Sequence, residues 1–82
     1  MIKVNVAVYN KYGVEDHVII EEWTDCFENG EDALKEMNAF FKTKWGGFKK
    51  YGWDWVASND VHRFVARIWD AETKTLWNGG SK

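Results

Sequence analysis

Three pairs of adjacent carboxylates, Glu15-Asp16, Glu21-Glu22 and Glu31-Asp32, are the residues of this 82-residue chain best suited by type to acid–base chemistry. A catalytic dyad needs two carboxyl groups that converge on one reacting atom. Neighbours on a strand point to opposite faces, so Glu21 and Glu22 cannot converge. Ser58, Asp60 and His62 also fall close together. A nucleophilic triad draws its members from different elements around an oxyanion site, and these three read as turn residues instead. His17 and His62 are far apart, and one cysteine completes no zinc-ligand spacing. Gly46-Gly47 follows a predicted helix, so it reads as a helix end and not as a phosphate loop. Cys26 lies between Asp25 and Glu28, whose charge disfavours the thiolate, and it reads as a small half-buried apolar residue. No enzyme, metal or cofactor is implied.

Charge and aromatic rings are distributed more pointedly. Glu15 to Glu36 carries nine acidic residues and one lysine; Lys42 to Lys74 carries seven basic residues and four acidic ones. The whole chain is only −2. Six Trp, five Phe and three Tyr exceed what so thin a core needs, so four or five are expected at the surface, where a contiguous patch marks an interface.

Two constellations follow. The first is an acidic surface of Glu21, Glu22, Trp23, Asp25, Phe27, Glu28, Glu31 and Asp32. Spaced carboxylates with aromatic anchors fit a basic groove that otherwise holds nucleic acid. The second joins Lys44, Lys49, Lys50, Trp53 and Trp55 to Arg63, Arg67 and Trp69. Cations interleaved with rings suit single-stranded nucleic acid. The acidic balance of the chain disfavours that second reading, because dedicated nucleic-acid binders carry a strongly basic face.

The elements that must position these residues are predicted as ββαβββ. Ile2, Val4, Val6 and Val8 alternate with polar neighbours along a first strand. Asn10 to Gly13 reads as a turn, Val14 to Trp23 as a second strand and Thr24 to Gly30 as a loop. Asn29 is placed to cap a helix running to about Trp45, with Leu34, Met37 and Phe41 toward the sheet. Further strands are predicted over Tyr51–Ala57, Val61–Asp70 and Lys74–Asn78. Trp53 and Trp55 share a parity and are expected together on the open face. The fold class is α+β: one domain over 1–82, an antiparallel sheet with one helix on one face, and a loose tail at 79–82. No apolar run is long enough to span a membrane, and a cytoplasmic location is expected.

In size, in the acidic stretch from Glu15 to Glu36 and in its lack of catalytic motifs, the chain resembles the small phage-encoded anti-CRISPR proteins. The resemblance is one of type and carries over no residue roles. It implies stoichiometric inhibition by docking on a basic nucleic-acid-binding groove of a host defence protein, a CRISPR effector. The alternatives are a small single-stranded nucleic-acid-binding module and a subunit whose aromatic surface forms a homodimer.

Overall fold

The alternation at the N-terminus becomes strand β1, Ile2–Asn10, with Ile2, Val4, Val6 and Val8 buried. The structure, a computed structural model, describes residues 1–11 and 18–79. The remaining elements are β2 (Ile19–Phe27), α1 (Gly30–Phe41), β3 (Lys44–Tyr51), β4 (Asp54–Ser58) and β5 (His62–Asp70). They form one antiparallel sheet in the order β2-β1-β5-β4-β3, with α1 against one face. The α+β class and the ββαβββ order hold, although the strands filling that order differ from those predicted.

Helix α1 starts where expected. The Asn29 side chain accepts the Asp32 N–H at 2.8 Å, and Glu31 and Asp32 occupy the first turn, where negative charge complements the helix dipole. Ala33 and Met37 are wholly buried, and Leu34 and Phe41 pack on the core from its edge. The helix stops at Phe41, short of Trp45, because Lys42 turns left-handed and returns its N–H to the Asn38 carbonyl.

Gly46-Gly47 therefore ends no helix. With Trp45 these glycines take positive φ angles inside β3, where the pairing with β4 shifts register between Lys44 and Lys49. The Asn38 side chain holds this bulge to the helix, accepting the Thr43 hydroxyl at 2.7 Å and the Phe48 N–H at 3.0 Å. Phe48 then enters the core. At the other hairpin, Asn59 accepts the Val61 and His62 N–H groups and donates to the Phe41 carbonyl at 2.9 Å. Ser58, Asp60 and His62 thus flank a turn organised by Asn59.

Two further expectations are corrected and one is left untested. Residues 24–27 belong to β2, because Trp23 and Phe27 alternate onto the helix side of the sheet and pack there. The stretch 12–17, which includes the second half of the expected first turn and the start of the predicted second strand, lies outside the described residues. Lys74–Asn78 is not a strand but a strap: it makes a single bridge, Leu76 to Trp69, and Trp77 donates its N–H to the Ile68 carbonyl. The turn before the strap is closed by Asp70, whose carboxylate accepts N–H groups from Glu72 and Thr73. The Thr73 N–H first, then that of Glu72, holds this carboxyl below its ordinary range. The contribution is present at neutral pH and lost as acid protonates the group through its lowered pKa.

Trp53 and Trp55 do not share a face. Gly52, at φ 66°, and Trp53 form a two-residue hairpin loop between β3 and β4, so Trp53 stands 73% exposed outside the sheet. Trp55 lies in the core, stacked on Trp77 at 5.2 Å. The volume it needs comes from small neighbours: Ala66 opposite it, and Gly79 against its ring edge. Gly30 plays the same part for Trp77. A Cβ on Gly30 would overlap the Trp77 ring. Gly30→Ala gains at most ~1 kcal/mol of helix propensity, whereas overpacking costs about 1–3 kcal/mol. The clash is expected to win: Trp77 should leave the stack, with a lower thermal midpoint and red-shifted tryptophan emission.

Candidate functional site

The two edges of the sheet differ in sign. Edge strand β2 carries Glu21, Glu22 and Asp25; edge strand β3 carries Lys44, Lys49 and Lys50. Strand alternation divides the acidic residues further. Glu21, Trp23, Asp25 and Phe27 face Val8, Val6, Val4 and Ile2 of β1, which is the helix side. Glu22 faces Ala7 and lies on the open side of the sheet, with Cys26. Cys26 is exposed, not half-buried, because an edge strand on an open face has no covering layer.

On the helix side the carboxylates meet an aromatic pair. The Trp23 ring stacks on Phe40 at 5.4 Å and meets Phe41 edge-on at the same distance. Trp23 is half-buried, so it supports the surface more than it projects from it. The projecting ring is Phe40, 62% exposed. Asp32, Glu36 and Phe40 recur every four residues on one stripe of α1 and line, with Lys35 and Ala39, a depression of about 550 Å³. Glu21 and Asp25 stand two residues either side of Trp23, both exposed. The result is an exposed phenyl group backed by an indole, with Asp32, Glu36 and the cation Lys35 beside it on the helix and Glu21 and Asp25 flanking the indole on β2.

The remaining acidic candidates have other neighbours. Glu28 is exposed in the β2–α1 connection and Glu31 in the first helical turn. Asp32 also takes part in capping, receiving the Asn29 amide at 3.2 Å. Phe27 is half-buried against the core. Helical spacing puts Phe40 beside the apolar stripe of Leu34, Met37 and Phe41; its exposure depends on β2 being the edge strand, which periodicity cannot reveal.

The basic aromatic candidates do not form one surface. Lys44 pairs with Asp60 at 2.6 Å beside the β4–β5 turn. Trp55 is core and cannot offer its ring to a ligand. Trp53 stands on the hairpin loop and Lys50 sits opposite Trp55. Lys49, Arg63, Arg67 and Trp69 do come together on the open face. Four aromatic residues are exposed among the described residues: Phe40 on the acidic side, and Trp45, Tyr51 and Trp53 on β3 and its loop.

Among the described residues no group of three or more His, Cys, Asp or Glu side chains is placed to hold a metal ion, and no polar or charged residue is buried. No helix among the described residues is long and apolar enough to cross a membrane. No family model matches the chain, and no curated protein or solved structure is similar to it.

Proposed function

We propose that this protein acts by binding, without catalysis, and that its partner is a protein with a basic, nucleic-acid-binding groove. The observation that carries the reading is the exposed Phe40 ring, stacked on Trp23 and bordered by Glu21, Asp25, Asp32 and Glu36. An aromatic anchor in a surface where four carboxylates outnumber the one lysine, Lys35, has the two properties such a groove selects. The phenyl group supplies desolvated contact area. The carboxylates supply steering toward cations and penalise the wrong partners. Occupation of the groove would exclude the nucleic acid, so binding alone would inhibit. A CRISPR effector in the cytoplasm of a phage host is the partner that the anti-CRISPR resemblance implies.

The test is capture and competition. Immobilised protein should retain a basic nucleic-acid-binding protein from a bacterial lysate, and added single-stranded or duplex RNA should displace it. Retention that nucleic acid does not disturb would remove the shared-groove mechanism.

A further inference from the structure

We propose that the open face of the sheet, opposite α1, is a second binding surface whose ligand is a single strand of nucleic acid. The helix covers one face only, and the pairing registers fix what the other presents. Tyr9 sits beside Arg63, Ala7 beside Val65, Asn5 beside Arg67 and Lys3 beside Trp69. Strand β4 continues the middle row with Val56 beside Val65, and β3 ends that row with Lys49. Neighbouring strands lie ~4.8 Å apart, so each row is a line of adjacent side chains.

The rows differ in height. The small residues Ala7 and Val65 floor a depression of about 400 Å³, with Tyr9 on one side and Asn5, Arg67 and Trp69 on the other. That volume lies within the range of ligand sites, roughly 300–1,000 Å³. Its walls are two aromatic rings and groups that recognise base edges. Asn5 offers both a donor and an acceptor. Arg67 is held by Asp54, which accepts from Nε at 3.2 Å and Nη2 at 3.1 Å. A guanidinium has five N–H donors, so this pairing orients the group without consuming it. The Arg63 guanidinium lies 5.0 Å from the centre of the Tyr9 ring, which fixes that ring at the trough wall.

Charge selects the ligand. Among the described residues, Lys3, Lys49, Arg63 and Arg67 stand on this face with Glu22 and Asp54, although the chain as a whole is acidic. Rings for bases, surrounded by cations for phosphates, are the requirements of a single strand. A duplex hides its bases inside the stack and cannot enter a trough by one base. The carboxylates of the Phe40 surface lie on the other side of the sheet, so the two surfaces need not compete.

The test is fluorescence anisotropy with labelled oligouridine and oligothymidine of about 12 nucleotides, within the usual site size, at ~50 mM salt. The wild type should bind in the micromolar range, as sequence-independent contacts do. Stronger binding of oligouridine assigns RNA, and stronger binding of oligothymidine assigns DNA. Tyr9→Ala and Trp69→Ala should each weaken binding by roughly 5- to 150-fold, the usual range for a lost base stack. Lys49→Ala, at an exposed position that leaves the fold intact, should flatten the plot of log affinity against log salt by about 0.7. Phe40→Ala should bind the strand as the wild type does, which keeps this result separate from the fate of the Phe40 surface. No binding by the wild type at ~100 μM, the weak limit of non-specific affinity, would overturn the proposal. So would equal competition by a duplex, or an unchanged salt slope in Lys49→Ala.

Discussion

Replacing Phe41 with alanine is expected to be the most damaging single truncation at the helix–sheet contact. The Phe41 ring lies 4.6 Å from Phe64, 5.0 Å from Phe40 and 5.4 Å from Trp23, centre to centre, with Phe48 at 6.4 Å. It joins the last turn of α1 to β2, β3 and β5. Full burial of a phenylalanine would place the loss at ~3–5 kcal/mol. Phe41 is only half-buried, so the lower end, about 3 kcal/mol, is expected. At ~4–8 °C per kcal/mol for a domain of this size, the thermal midpoint should fall by roughly 12–24 °C. Calorimetry or circular dichroism reads this directly. An unchanged midpoint would mean that the aromatic cluster does not hold the helix. Phe41→Leu, which keeps an apolar side chain, should recover most of the loss.

The same substitution shows how fold and candidate site depend on one another. Phe41 touches both Trp23 and Phe40, so the cluster that secures the helix also sets the pose of the exposed ring. A loosened cluster should weaken partner binding even where the folded population survives. Phe40→Ala separates the two effects: Phe40 is largely exposed, so its truncation should lose only its ring contacts with Trp23 and Phe41, about 0.5–1.5 kcal/mol per pair, and leave the protein folded.

Much of this arrangement is legible from local pattern. The period-2 run of β1, the Asn29 cap and the Leu34, Met37, Phe41 stripe need only neighbours in sequence, and each falls where that logic puts it. What is illegible depends on partners distant in sequence. Strand β3 reads KWGGFKKY, with no alternation and two glycines. It becomes a strand through pairing with β4 and through the Asn38 side chain, which holds the Phe48 N–H ten residues away. Trp53 and Trp55 separate because a two-residue loop interrupts their parity, and Gly52 alone does not distinguish a loop from a strand. The place of Trp55 is set by the absence of side chains, at Gly79, Ala66 and, through Trp77, at Gly30. A tally of large apolar residues competing for the core overlooks that space.

The acidic candidates teach a related lesson. A run of charge in sequence is a surface only after strand alternation has sorted it. Glu22 goes to the open face while Glu21 and Asp25 go to the helix side. Glu36, seven residues beyond the β2–α1 connection, joins them through the helical repeat. The charge proposed to act in docking is therefore that of Glu21, Asp25 and Glu36 near Phe40. Asp32 belongs to the same stripe but also caps the helix.

Reversal of those three carboxylates should abolish capture of a basic partner while leaving the fold intact. In the variant Glu21→Lys/Asp25→Lys/Glu36→Lys every altered side chain is exposed, and Asp32 is kept so that the helix cap survives. Attraction becomes repulsion at three points around the anchor, and like charges brought together across an interface oppose binding by several kcal/mol. Affinity should therefore fall more than ~100-fold, each tenfold step being about 1.4 kcal/mol. Phe40→Ala alone should cost ~2 kcal/mol, the threshold of an interface hot spot, or roughly 30-fold. The two losses should differ in their kinetics. Reversal should slow association and weaken or invert its dependence on salt, since screening then relieves repulsion, whereas truncation of Phe40 should speed dissociation. Glu22→Lys is the control for net charge: it lies on the other face, so capture should persist. Surface plasmon resonance with the captured partner measures all three variants. If the triple reversal binds as the wild type does at ~150 mM salt, where exposed charges still act over about 8 Å, the carboxylates have no part in docking. If Glu22→Lys is as damaging as the triple variant, net charge and not this surface governs binding.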